Sequence, residues 1–97
     1  MTVRVILELQ VKPDQVEALK ELLKEALPDS RAFDGCLKLE VIQNQDNPTN
    51  ILVLQAWQTK EHQQRYSKWR YETGFLDKMG AFLAARPSLR YLDLLDI

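Results

Sequence analysis

The chain is 97 residues long, enough for one domain and one core with a radius of gyration of roughly 13 Å, and short enough that a ligand cavity would need a second chain to help build its walls. Hydrophobic residues at 45% and charged residues at 28% exclude a disordered chain. Thirteen basic against fourteen acidic side chains leave a net charge of −1, so no field recruits nucleic acid or an anionic membrane, and the longest apolar run, residues 51–54, is far too short to cross a bilayer.

Residues 3–11 are the first predicted element. Val3, Val5, Leu7, Leu9 and Val11 alternate with Arg4, Ile6, Glu8 and Gln10, and a period of two over nine residues predicts a β-strand. Lys12-Pro13-Asp14 ends it, because proline donates nothing to a ladder but fits the first turn of a helix. Val16, Leu19, Leu22, Leu23, Ala26 and Leu27 then recur at helical spacing between charged residues, and Pro28 is expected to end or kink that helix.

Phe33-Asp34-Gly35-Cys36 reads as a turn into a second strand, with Leu37, Leu39 and Val41 on one face and Lys38, Glu40 and Ile42 on the other. The polar stretch 43–50 is a hairpin loop longer than a tight turn. Residues 51–57 form a third strand, apolar on both faces and so covered on both. Thr59 can cap a short helix through about Ser67. Phe75, Leu76, Met79, Phe82 and Leu83 suggest a further helix stopped by Pro87, and residues 89–95 supply the last strand. The order is βαββαβ over a single domain, residues 1–97. It is a ferredoxin-like α+β plan with both helices on one face of a four-stranded antiparallel sheet. The other face would carry Ile6, Ile42, Leu52, Leu54 and Ala56 among Arg4, Glu8, Lys38 and Glu40. Such a patch is larger than a monomer usually exposes, so two sheets packed back to back, a homodimer, are expected.

The strand and turn of residues 5–13, the Phe33-Asp34-Gly35-Cys36-Leu37 approach to strand two, and the apolar third strand ending in Trp57 before a polar helix carry a resemblance. Over nearly its whole length the chain resembles the antibiotic biosynthesis monooxygenase superfamily, small dimeric α+β barrels that include cofactor-free quinol and anthrone oxygenases. The resemblance implies an enzyme that needs no cofactor and takes molecular oxygen and a small aromatic molecule, and it points the Trp57 ring into the space between sheet and helices. Many members place a histidine nine residues after the strand-three aromatic, where this chain has Tyr66. Haem-degrading relatives use a strand-one asparagine, which corresponds to Leu7, and a later histidine, and none follows His62. The resemblance therefore does not extend to haem degradation.

Seven of the eight aromatics lie from Trp57 to Tyr91. Trp57, Trp69, Tyr71 and Phe75 are candidate walls for a planar ligand, or ordinary core and dimer-edge packing. Tyr66 can donate a hydrogen bond to a developing oxyanion, or is a half-buried helix tyrosine. His62 is the only histidine, and imidazole ordinarily exchanges protons near neutral pH, so it is a candidate base; its polar neighbours also suit an exposed histidine. Arg65, Lys68 and Arg70 could clamp an acidic aromatic, with Arg70 stabilising the anion, or form a solvated charge cluster. The single cysteine, Cys36, reads as a small buried hydrophobe and fits a reducing cytoplasm. The N-terminus opens on a charged strand, so no signal peptide is expected. No ligand-spaced pair suggests a metal.

Two functions fit these residues. One is a cofactor-free monooxygenase in which Tyr66 and Arg70 hold the substrate anion and His62 or water takes the proton. The other is a non-catalytic dimeric module that binds a small molecule or a protein. Isomerisation of a small carbonyl compound is a third, weaker fit.

Overall fold

The computed structural model describes residues 2–97. Seven elements follow one another: β1 (Val3–Gln10), α1 (Val16–Arg31), β2 (Cys36–Gln43), β3 (Asn50–Trp57), α2 (Lys60–Glu72), α3 (Phe75–Gly80) and β4 (Ser88–Leu92). The strands form one antiparallel sheet in the order β2-β3-β1-β4. This is the ferredoxin-like α+β architecture that the strand and helix periods predict, with the second helix divided in two.

Register decides what each face of the sheet carries, because side chains alternate along a strand. Val5 pairs with Gln55 and Tyr91, and Leu7 with Val53 and Leu89. These rows, with Leu39 beside Gln55, face the helices. Arg4 and Lys38 flank Ala56, Ile6 and Glu40 flank Leu54, and Glu8 and Ile42 flank Leu52 on the other face. Among the described residues, no helix covers that face. Ile42 is 45% exposed and Leu92 40% exposed there, and Arg90 reaches Glu8 at 3.3 Å.

Helix α1 runs through Pro28 instead of ending there. Proline removes one backbone donor but its fixed φ is helical, and the amide of Ala32 returns to the Pro28 carbonyl at 3.1 Å. The extra turn carries Ser30, which is fully buried. Helix α2 continues past Ser67 to Glu72, so Trp69 and Arg70 are carried on the helix. Thr59 caps it, its hydroxyl accepting from the His62 amide at 3.1 Å. Gly74, at φ 80°, then turns the chain into α3. Phe82 and Leu83 lie beyond that short helix, where Leu83 bridges Val11. Leu37 leaves the face expected of it: a register shift between Cys36 and Lys38 makes it the extra residue of a bulge, and it is 51% exposed.

Two apolar clusters fill the space between sheet and helices. The larger joins Leu9, Leu19, Leu23, Leu27, Ile51 and Met79 with their neighbours. The smaller is aromatic: Trp57 and Tyr66 pack on Val3 and Val5, with Phe33, Trp69 and Tyr91 at its margin. Among the described residues, no helix is long and apolar enough to cross a membrane.

Candidate functional site

A cavity of about 240 Å³ lies between the helix-facing side of the sheet and helices α1, α2 and α3. Its apolar walls come from Leu7, Leu39 and Val53 on the sheet, Leu23 and Leu27 on α1, and Phe75, Leu76 and Met79 on α3. Its polar groups are few: Gln55 from the sheet, and Gln63, Tyr66, Ser67 and Arg70 from α2. Positions 63, 66, 67 and 70 share one face of a helix by their three- and four-residue spacing, so α2 delivers all four to the same wall.

Tyr66 and Arg70 are joined to Ser30 in a closed set of hydrogen bonds. Ser30 Oγ and Tyr66 Oη are 2.6 Å apart. Arg70 donates from Nε to Tyr66 Oη at 3.1 Å and from Nη2 to Ser30 Oγ at 2.8 Å and to the Ala26 carbonyl at 2.7 Å. Arg70 is only 7% exposed. Among the described residues it has no carboxylate within ion-pair distance. Its compensation is instead three neutral oxygens and the faces of Trp69, Phe75 and Tyr66, at 4.4, 4.5 and 5.5 Å from the guanidinium carbon. Aromatic faces supply about 0.5–2 kcal/mol each, against several kcal/mol for taking an ion out of water. A positive charge without an ion partner among the described residues is thus carried by a residue that lines the apolar cavity.

The sequence-derived candidates divide at this cavity. Tyr66, Arg70 and Phe75 line it; Trp57, Trp69, Tyr71 and His62 do not. Trp57 is completely buried in the aromatic cluster, its ring 5.0 Å from that of Tyr66. Its indole N–H donates to Gln55 Oε1 at 2.8 Å, so it touches the cavity only through Gln55. Trp69 packs on Phe33 at 5.3 Å and on Arg70 from behind. Tyr71 is 68% exposed and takes no part in the cavity wall. His62 is neither exposed nor in the cavity. Its Nδ1 lies 2.7 Å from the Thr59 hydroxyl and its Nε2 3.7 Å from Asp34, and its ring lies against Gly35. That pins the Phe33–Cys36 turn to the start of α2.

Ser30, Gln55, Gln63 and Ser67 went unselected in the sequence. Ser30 stood beyond an expected helix end. Gln55 had a readable signal: it is the one strongly polar residue in the run Ile51–Trp57, on the row that faces the helices. Gln63 is held at both ends, donating to Ser67 Oγ at 2.8 Å and accepting from the Tyr91 hydroxyl. Cys36 lies beside both clusters. Burial pushes its thiol above the usual range, partly offset by the Lys38 amide and the charge of Arg31, which disfavours the nucleophilic thiolate. Among the described residues, no group of three or more histidine, cysteine or acidic side chains is placed to hold a metal ion.

The family model described as "Antibiotic biosynthesis monooxygenase" matches residues 2–76. Several solved structures share the fold at low identity. A conserved protein of Methanosarcina mazei is 20% identical, with 95% of this chain and 91% of that one covered and a TM-score of 0.87. A Nitrosomonas europaea protein bearing the same family name is 20% identical over 98% and 91% of the two chains, with a TM-score of 0.89. One from Mycobacterium tuberculosis is 21% identical over 100% and 98%, with a TM-score of 0.87. No curated protein matches the chain.

Proposed function

The chain belongs to the antibiotic biosynthesis monooxygenase family, and on that footing we propose that it is a cofactor-independent monooxygenase of a small, electron-rich aromatic of the quinol or anthrone kind. The observation that carries this reading is Arg70, a buried guanidinium with no carboxylate partner among the described residues, on the wall of an apolar cavity. An ionised phenol or enolate supplies the missing negative charge, and the low polarity of the site makes that pairing stronger than in water.

In this mechanism the substrate is its own electron donor. Bound as the anion, with its oxygen on Arg70 and the Tyr66 hydroxyl, it gives one electron to dioxygen, and the two radicals combine at a ring carbon. Collapse of the peroxide leaves one oxygen atom on the product. The other departs as water with the two hydrogens that the substrate loses, so the net change is substrate plus O₂ to oxidised product plus H₂O. The protein's part is to hold the anion, exclude bulk water and fix the ring. A volume of about 240 Å³ is below the ~300–1,000 Å³ of drug-sized pockets, which favours one- or two-ring quinols over the three-ring anthrones. The proton goes to water at the cavity mouth, since the lining residues include no carboxylate or imidazole. We also propose that the uncovered sheet face, with Ile6, Leu52 and Leu54 along its centre, takes a second copy of the chain.

The lack of a lining base also favours a second reading, a module that binds an aromatic anion without turning it over. An oxygen electrode separates the two. Oxygen uptake with a panel of quinols and anthrones, one atom of ¹⁸O₂ appearing in the product, and loss of both in Arg70→Met support the monooxygenase. Saturable quenching of tryptophan fluorescence by the same compounds without oxygen uptake supports the module.

A further inference from the structure

Gln55 sits at the centre of the sheet wall and is 6% exposed. An amide side chain can point either end toward a neighbour, but its neighbour here settles which. The indole nitrogen of Trp57 is a donor only, so the Gln55 atom 2.8 Å from it is the carbonyl oxygen Oε1. The NH₂ end is therefore the free end. It makes no hydrogen bond with the described residues, yet no side-chain nitrogen or oxygen is left both enclosed and unpaired. The nitrogen accordingly meets open space. Gln55 lies on the helix-facing row with Val5 and Leu39, and the space on that side is the cavity.

Resting on the aromatic-anion reading above, we propose that Gln55 is a specificity-determining residue that donates a hydrogen bond to a second oxygen of the ligand, with Trp57 as its positioning residue. The cavity then has a donor on each of two facing walls: Arg70 on the helix wall and the Gln55 amide on the sheet wall. Such a site selects a ring with oxygen substituents on two sides, one ionised and one a hydrogen-bond acceptor, as in a hydroxyquinone or a quinol anion. It discriminates against a phenol with one oxygen, which leaves the buried amide unpaired. Trp57 completes a chain from the aromatic core to the ligand: indole N–H to Gln55 carbonyl, Gln55 amide to ligand oxygen.

The test is anaerobic binding by calorimetry, with 2-hydroxy-1,4-naphthoquinone as the two-sided probe and 2-naphthol as the one-sided probe. The full chain is compared with Gln55→Leu and Trp57→Phe, each checked for an unchanged far-ultraviolet circular dichroism spectrum. Gln55→Leu is expected to weaken the hydroxyquinone roughly tenfold and to leave 2-naphthol as tight or tighter. Trp57→Phe, which keeps a ring but frees the amide to turn, is expected to lose part of the same preference. Wild-type affinities for the two probes that Gln55→Leu leaves in the same ratio overturn the inference alone. Failure of the wild-type chain to bind either probe overturns it together with the aromatic-anion reading. Binding with the expected preference but no oxygen uptake when the corresponding reduced naphthoquinol is supplied in air removes only the monooxygenase.

Discussion

Ser30 Oγ lies 2.6 Å from Tyr66 Oη, and it reaches that position on a helical turn that lies beyond a proline. Without that turn Arg70 would lose its Ser30 acceptor at 2.8 Å. Ser30→Ala removes one acceptor from a buried cation and one partner from a buried phenol without changing side-chain size much. The expected loss is about 1–3 kcal/mol in urea unfolding at an unchanged m value. A variant as stable as the parent would mean that the three side chains are not energetically linked.

Arg70 separates stability from binding. A buried charge held by neutral groups costs desolvation that those groups return only in part. Arg70→Met replaces the guanidinium that lies against Phe75 and Trp69 with an unbranched apolar side chain and removes the charge. Unfolding is expected to be unchanged within about 1 kcal/mol or shifted toward greater stability. Affinity for an ionised naphthol is expected to fall by at least about tenfold, since hydrogen bonds to charged groups contribute about 1.5–3 kcal/mol. If affinity survives while stability collapses, the guanidinium is a structural strut and not a ligand partner.

Much of the fold was legible because period-two and helical patterns report directly on which face is buried. The alternation in residues 3–10 and the leucine spacing of α1 are examples. What escaped were the continuations. Pro28 was expected to end or kink α1, and α2 to stop near Ser67, yet α1 continues to Arg31, past Ser30, and α2 as far as Glu72. The site followed the same division. Tyr66, Arg70 and Phe75 were singled out by residue type, and the fold brings them to one cavity. Trp57 was also chosen as an aromatic wall, but strand alternation puts it in line with Val3 and Cys36 at the closed, aromatic end of the sheet. Its polar edge, not its face, is what bears on the cavity.

Gly35 adopts φ 87°, and an added Cβ would come within 2.3 Å of the His62 ring and 2.5 Å of its Cβ. Two penalties therefore meet in Gly35→Ala. A left-handed alanine costs roughly 1–2 kcal/mol, and the overlap involves the root of the histidine side chain, which cannot swing away freely. The combined loss is expected to exceed about 3 kcal/mol. In a His62→Gly background, which removes the Cβ at 2.5 Å together with the ring, only the backbone part should remain, about 1–2 kcal/mol. A double-mutant cycle with no coupling between the two positions would refute this division.

Alkaline pH should loosen the fold through two groups. Burial raises the ionisation of the Cys36 thiol and of the Tyr91 phenol above their ordinary values, and Tyr91 also donates its hydroxyl hydrogen to Gln63. Both groups are neutral when protonated, and the folded state holds each proton more tightly than the unfolded chain does. Their contribution is thus complete below the unfolded-state values, about 8.5 for the thiol and 10 for the phenol. It is lost as pH rises through the higher folded-state values. The midpoint of urea unfolding is expected to fall progressively above about pH 8.5. Cys36→Ala should flatten the first part of that decline and Tyr91→Phe the later part, while the 295 nm absorbance of tyrosinate in the folded chain should appear at higher pH than in urea. The ordering matters for the site as well: ionised Tyr91 can no longer donate to Gln63, so the α2 wall of the cavity should loosen before the sheet unfolds.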